Sequence, residues 1–156
     1  MKDRVFSTNN DWTGLINRLT IGLILFPHGA QKLLGWFGGP GFSGEMNFFT
    51  ETLNLPWLIA FLVIIIEFFG SVFLIAGFAS RVWAAAMIVL FIGIILIGHI
   101  EHGFFMNWFG DQKGEGYEYH LLIIGLSLAV LVIGSGKLSV DGVLAKRQLS
   151  GSETDA

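Results

Sequence analysis

Four long apolar stretches divide the chain, with polar or glycine-rich segments between them. They cover residues 15–34, 57–78, 82–100 and 118–134. Each is close to the roughly 20 apolar residues that an α-helix needs to cross a bilayer. The pattern predicts an all-α fold, an integral membrane four-helix bundle within residues 12–142. A polar N-terminal segment, residues 1–11, precedes it, and an amphipathic or disordered tail, residues 143–156, follows it.

The first stretch carries ionisable residues along one face. With 3.6 residues per helical turn, a single stripe on that face contains Arg18, Gly22, Leu25, Gly29, Lys32 and Trp36. His28 lies just beside this stripe. Ionisable groups cost about 2.5–3.5 kcal/mol at the centre of a membrane even on the mildest scale. The stripe should therefore face protein or a wet cavity, which makes the first helix the central element of the bundle.

The first connection, residues 35–56, contains a second amphipathic pattern. Ser43 is a candidate N-cap for a short helix there. The apolar face of that helix would combine Phe42, Met46, Phe49 and Leu53. An amphipathic helix of this kind is expected to lie flat on the membrane surface. The sequence leaves open whether it covers a cavity or only fills space.

Composition narrows the class of protein. Of the 156 residues, 53% are hydrophobic and only 13% are charged, whereas a soluble domain has about 25% charged residues. The net charge of −3 and the scattered basic residues argue against a nucleic-acid partner. Cysteine is absent, which excludes disulfides, iron–sulfur clusters and thiolate metal sites. The expected partner of the chain is the lipid bilayer.

Aromatic and basic residues predict the orientation. All five tryptophans lie near a predicted membrane boundary, as in an interfacial belt. One side of the spans is flanked by Lys2, Arg4, Arg81, Lys137, Lys146 and Arg147. The other side has only Lys32 and Lys113. Because cytoplasmic flanks carry the excess of Lys and Arg, both termini should be cytoplasmic. The expected location is the bacterial plasma (inner) membrane, with the chain as a multi-pass protein.

Ionisable residues from all four stretches converge on one end of the predicted bundle. At a rise of about 1.5 Å per residue, Glu67 lies near the midplane, with Arg18 inward of it. The residues level with Glu67 or outward of it are His28, Lys32, His99, Glu118 and His120. This arrangement predicts a polar cavity that opens outward above Glu67 and Arg18. Arg18 is the expected static partner of Glu67, because a guanidinium forms bidentate pairs and keeps its charge.

The same residues also have structural interpretations. The side chains of Lys32, His99 and Glu118 are long or polar enough to snorkel to the interface. Glu67 and Arg18 would hold the bundle together if they formed a buried ion pair. For Glu67, Arg18 and His28, however, a functional site is the favoured hypothesis, because ionisable groups inside a membrane are functional by default.

A metal site is the weaker interpretation of the histidines. His99 and His102 are three residues apart, and Glu118 or His120 would have to complete the set. This spacing matches no zinc motif. We therefore predict no metal site.

Several of these residues fit a known family pattern. The string His28-Gly29-Ala30-Gln31-Lys32-Leu33, together with Arg18, Gly22, Glu67, Gly70, Gly77, Arg81 and His99, resembles the DoxX family of small four-helix membrane proteins. The segment from Gly134 to Asp141 fits the same pattern, so the resemblance covers about residues 12–142. The family is named for a subunit of a thiosulfate:quinone oxidoreductase, and other members are associated with quinone or catechol detoxification and oxidative-stress complexes. The resemblance implies a quinone-linked role and adds Gln31 to the candidate ligand-binding residues.

Two hypotheses follow for the function. In the first, the chain is a component of a membrane oxidoreductase or of quinone detoxification, and a quinone or related aromatic enters the bundle. Glu67 and His28 would act catalytically by moving protons. The ligand-binding residues would be Arg18, Gln31, Lys32, His99, Glu118 and His120. A bound quinone or a partner oxidoreductase subunit would carry the electrons. In the second hypothesis, the chain is a non-catalytic membrane partner or a small-molecule carrier. Whether the chain is itself an enzyme stays open.

Overall fold

The computed structural model describes residue 8 and residues 10–153, with side chains described up to residue 147. The prediction of an all-α fold is confirmed for this part of the chain, which contains no strand. Its six α-helices are α1 Trp12–Leu34, α2 Gly41–Asn47, α3 Trp57–Ala76, α4 Ser80–Ile94, α5 Glu118–Ile133 and α6 Val140–Glu153. Short 3-10 and π-helical turns extend three of them; these are Trp36–Gly38, Phe48–Thr52, Ile95–His99 and Ile100–His102.

Local sequence fixes the ends of the long helices. The carboxylate of Asp11 accepts a hydrogen bond from the Gly14 N–H at 2.9 Å and so caps the start of α1. Gly35 ends α1 and Gly77 ends α3, both in the left-handed conformation that glycine adopts without strain. The π-helical turn Ile95–His99 follows α4 and a 3-10 turn begins at Ile100, so the third apolar stretch departs from regular α-helical geometry in its last six residues.

The four long helices contact each other in a ring. α1 packs against α3 and α5, and α4 packs against the same two helices. Glycines allow the closest approach: an added Cβ at Gly29 would lie 2.6 Å from Phe68 Cα, and one at Gly22 would lie 2.9 Å from the Ser71 carbonyl oxygen. We call the end of the ring where α1 stops and α3 starts the α2 end, and the opposite one the α6 end.

Helix α2 packs against protein at the α2 end. Met46 and Phe49 are buried with Ala60 and Ile64 of α3, and Leu33 of α1 borders the same cluster. The predicted apolar face thus covers α1 and α3. The predicted N-cap is wrong, because Ser43 lies inside α2, and Pro40 precedes the helix with no side-chain cap.

Within the described part of the chain, two helical segments are long and apolar enough to cross a membrane, Trp57–Ala76 and Ser80–His102. α5 is a shorter apolar helix of 16 residues. The long helices also present large apolar side chains to the outside, such as Leu23, Val89, Leu122 and Val132. Such a surface suits a lipid environment better than water.

The chain ends were predicted as a polar segment and an amphipathic or disordered tail. Most of the N-terminal segment, residues 1–7 and 9, lies outside the described residues, as do residues 154–156. Within the predicted tail, α6 continues to Glu153.

Candidate functional site

A cavity of about 740 Å³ lies inside the ring, toward the α2 end. Side chains from α1, α3, α4 and α5 line it, and the segment from Glu45 to Leu55 contributes to its wall. Most of the lining is aliphatic or aromatic. Its ionisable residues and tyrosine are His28, Lys32, Glu45, Glu67, His99, Tyr119 and His120. The structure therefore brings together five of the eight residues proposed from the sequence.

The most deeply placed charged pair in this cavity is Lys32 with Glu67. The Lys32 Nζ donates to Glu67 Oε1 at 3.3 Å. Glu67 is 4% exposed, and its second carboxyl oxygen, Oε2, has no hydrogen-bond partner among the described residues. Because Gly29 rests against the backbone of Glu67 and Phe68, the ammonium one turn further along α1 reaches the carboxylate. One carboxyl oxygen is thus held by Lys32, and the other is buried without a hydrogen-bond partner among the described residues.

Two histidines meet on the other side of the cavity. The rings of His99 and His120 have their centroids 4.2 Å apart. His99 Nδ1 lies 2.8 Å from the Glu115 carbonyl oxygen, which accepts, so Nδ1 must carry the proton. His120 is buried, and neither its Nδ1 nor the Tyr119 hydroxyl has a partner in the described part of the chain. Both residues line the cavity, so it contains further side chains with an unused hydrogen-bonding atom. His28, by contrast, is an exposed residue that contributes to the lining.

Arg18 lies outside the cavity, and the predicted Arg18–Glu67 ion pair is wrong. The Arg18 guanidinium donates five hydrogen bonds to backbone carbonyls, at 2.5–3.1 Å; the acceptors are Leu74, Ile75, Ser135, Lys137 and Leu138. Leu74 follows Glu67 by seven residues, which is about 10 Å along a helix. The guanidinium is therefore too far toward the α6 end to meet Glu67.

Next to the Arg18 guanidinium, the carboxylate of Asp141 and two serines form a polar cluster at the α6 end. Asp141 accepts from the Ala79 N–H at 2.7 Å and the Ser80 N–H at 3.1 Å, and the Ser135 hydroxyl donates to the same carboxylate. Asp141 also attracts the Arg18 guanidinium electrostatically. Four polar or charged side chains of this cluster are buried: Arg18, Ser80, Ser135 and Asp141. The cluster joins α1, α3, α4 and α6, so its contacts are those of a structural clamp.

Gln31 and Glu118 also lie outside the main cavity. The Gln31 amide donates to the Phe37 carbonyl at 3.3 Å. Glu118 Oε1 accepts from the Met106 N–H at 3.0 Å and from Trp108 Nε1 at 3.4 Å. Glu118 lines a smaller neighbouring cavity of about 490 Å³. Both side chains therefore hold loops at the α2 end.

Sequence reasoning missed Glu45 and Tyr119 as cavity residues. Glu45 lies on the short helix α2, and burial, together with the nearby charge of Glu67, raises the pKa of its carboxyl above the ordinary value. The sequence offered one indication for each residue. Glu45 precedes Met46 on the predicted amphipathic helix, and Tyr119 lies between the candidate residues Glu118 and His120. Among the described residues, no group of three or more His, Asp or Glu is arranged to hold a metal ion.

Comparison with known proteins gives two matches. The profile of the DoxX family matches residues 14–100. A protein of Bacillus subtilis (strain 168) that carries the name "Putative oxidoreductase CatD" is 28% identical over 138 residues, which cover 88% of this chain and 91% of that protein. No solved structure matches the chain.

Proposed function

The chain belongs to the DoxX family, and on this basis we propose that it is a component of a quinone-linked membrane oxidoreductase or of quinone detoxification. Its ligand is a quinone or a related aromatic, bound in the cavity. The observation that carries the proposal is the Glu67–Lys32 pair, because it leaves a buried carboxyl oxygen without a partner inside a cavity of ligand size. The name of the Bacillus relative supports the oxidoreductase class.

We further propose that all four long helices cross the bacterial inner membrane and that both termini are cytoplasmic. The cavity then opens at the outer face. The two strongly apolar helices support the spanning arrangement, and the excess of basic residues at the α6 end supports the orientation.

The proposed chemistry divides protons and electrons between two proteins. Reduction of a quinone to a hydroquinone takes two electrons and two protons. Glu67 and His28 exchange the protons with the quinone oxygens, and the Lys32 ammonium stabilises negative charge that develops on them. His99, Tyr119 and His120 contact the ring. A partner redox subunit supplies or accepts the electrons.

The substitution Glu67→Gln tests this proposal. It preserves size but removes the ionisable proton and replaces one acceptor oxygen with an amide NH2 that only donates. We therefore expect a folded protein that binds a decyl-substituted hydroquinone, whose hydroxyl donates to the carboxylate, about tenfold more weakly or worse. Binding is measured by titration of the purified protein in nanodiscs. Glu101→Gln, at an exposed position, is the control. Normal binding and normal activity with its redox partner in a well-folded Glu67→Gln protein would rule out proton exchange at Glu67.

The second candidate is a small-molecule carrier without redox chemistry. The mostly apolar lining of the cavity favours it, because binding an aromatic molecule needs few polar groups. Mass spectrometry and an absorption spectrum of the purified protein identify any bound molecule. A carrier would return that molecule in the redox state in which it bound, even in membranes that contain the partner proteins.

A further inference from the structure

Helices α3 and α4 are in close contact near the turn that joins them. There Gly70 lies against Met87 and Trp83, with an added Cβ meeting Met87 Cε at 2.6 Å. The rings of Phe73 and Trp83 stack at 5.2 Å. Closer to the α2 end, both helices contribute side chains to the cavity, and we call the part of the cavity between these side chains the gap.

The two sides of this gap are apolar and reach the outer surface of the ring. Ile59 and Leu62 of α3 line the cavity and are exposed, and so are Val89 of α4 and Ile97 of the π-helical turn. Val89 is 72% exposed. Gly93 lies between the last two, and a Cβ built there would meet nothing within 4 Å. The apolar side chains of the gap therefore belong both to the cavity lining and to the exposed surface of the ring.

The three residues that carry unpartnered polar atoms, Glu67, Tyr119 and His120, line the same cavity. Glu67 Oε2 is able to accept a hydrogen bond from a ligand hydroxyl, and the Tyr119 hydroxyl is able to donate one to a ligand carbonyl. His120 Nδ1 is the third such atom. A ligand that matches both the apolar gap and the unpartnered polar atoms has an oxygen-bearing ring at one end and an apolar chain at the other.

We infer that this ligand enters sideways from the membrane, between α3 and α4, and that its apolar chain stays in that gap while its ring reaches Glu67 and Tyr119. The inference rests on the proposed function, because it takes the cavity as the binding site. It adds a route of access and a chain-binding groove, and it assigns to Gly93 the role of keeping the groove open.

The test narrows the gap without touching the polar groups. Gly93→Trp places a large side chain in the groove, and Gly125→Trp is the matched control, because Gly125 is an exposed helical glycine with nothing within 4 Å of an added Cβ and lies outside the cavity lining. The probes are a decyl-substituted benzoquinone and the same benzoquinone without the chain. Both are titrated into purified protein in nanodiscs.

We expect Gly93→Trp to weaken binding of the decyl probe about tenfold or more, the equivalent of about two methylene groups that lose their burial. The chainless probe, which is soluble enough to arrive through water, should bind as in the unmodified protein. Gly125→Trp should change neither. If Gly93→Trp fails to fold, Val89→Trp replaces it. Its control is Val132→Trp, because the two valines are similarly exposed, Val89 at 72% and Val132 at 74%.

Two results would overturn the inference while leaving the binding site intact. One is equal binding of the decyl probe to the Gly93→Trp and unmodified proteins. This would show that the decyl chain does not bind in the gap, which would then be free for another occupant such as a partner helix. The other is an equal loss for both probes, which would make the gap part of the ring site. Failure of the unmodified protein to bind either probe would instead contradict the proposed function.

Discussion

Two buried ionisable residues of α1 and α3 are stabilised in opposite ways. Arg18 finds five neutral carbonyls near the α6 end. Glu67 finds one cation, Lys32, and keeps one oxygen unpaired. A fully bonded group has no capacity left for a ligand, whereas a partly bonded one does. The difference assigns Arg18 to stability and Glu67 to the cavity.

Arg18→Lys tests the structural assignment. A lysine has three donors where the guanidinium makes five hydrogen bonds, so at least two buried or partly buried carbonyls lose their partner. At about 1–3 kcal/mol for each, we expect the free energy of unfolding to fall by about 2–6 kcal/mol, as measured by denaturation in mixed micelles. Quinone binding by the folded fraction should be unchanged. Weakened binding with unchanged stability would return Arg18 to the ligand site.

Glu45→Gln tests the electrostatics of the cavity rim. The pKa of Glu45 is raised in the folded protein, so the folded state binds the proton more tightly than the unfolded state does. Stability is therefore greatest below the ordinary value of 4.5 and falls as the pH rises through the folded pKa. Glu45→Gln should abolish this loss and be the more stable protein at pH 8, by less than about 1 kcal/mol because the side chain is half-exposed.

Thermal unfolding in detergent at several pH values between 4 and 8 measures the effect of Glu45→Gln. Glu51→Gln, at an exposed position on the same connection, is the control. A stability difference that shrinks with rising pH would contradict the sign of the pKa shift.

At the scale of elements, the contact between α1 and α3 determines which residues meet. Gly22 and Gly29 place the two backbones close together, and this alignment lets Lys32 reach Glu67. The sequence predicted the stripe that contains these glycines. It did not reveal the alignment, because depth counted along separate helices ignores where the helices cross. For this reason the sequence analysis predicted Arg18, and not Lys32, as the ion-pair partner of Glu67.

Gly29→Ala tests the importance of this contact. Its Cβ would lie 2.6 Å from Phe68 Cα, and because backbone atoms cannot easily move away, the helices must separate. We expect a loss of about 1–3 kcal/mol and weaker quinone binding, because Lys32 moves with α1. Gly125→Ala is the control: with open space around it, it should be neutral or stabilising by up to about 1 kcal/mol. Equal stability of both variants would show that the contact is unimportant.

The helices themselves were easier to predict than their partners. The stretches proposed at residues 57–78 and 118–134 correspond to α3, Trp57–Ala76, and α5, Glu118–Ile133, because long apolar runs dominate local structure. The π-helical turn Ile95–His99 and the five carbonyl partners of Arg18 were not predictable. Neither has a local signal, since backbone carbonyls are the same in every residue.

At the scale of the whole molecule, the proposed orientation is open to a direct test. The chain has no cysteine, so single cysteines report their own location. We expect Lys113→Cys to react with an impermeant maleimide in intact cells and Lys146→Cys to react only after lysis; both positions are exposed. The reverse pattern would invert the topology, and labelling of both in intact cells would exclude the arrangement of four spans.

The clamp around Arg18 also has a consequence for how the protein is made. The last of its carbonyl acceptors, Leu138, follows Arg18 by 120 residues. At synthesis rates of about 5–20 residues per second, roughly 6–24 s pass between the two. During that interval the guanidinium lacks its final partners, and α1 is costly to bury in lipid alone. We therefore expect α1 to wait at the membrane surface and to take its place only when the end of the chain has been synthesised.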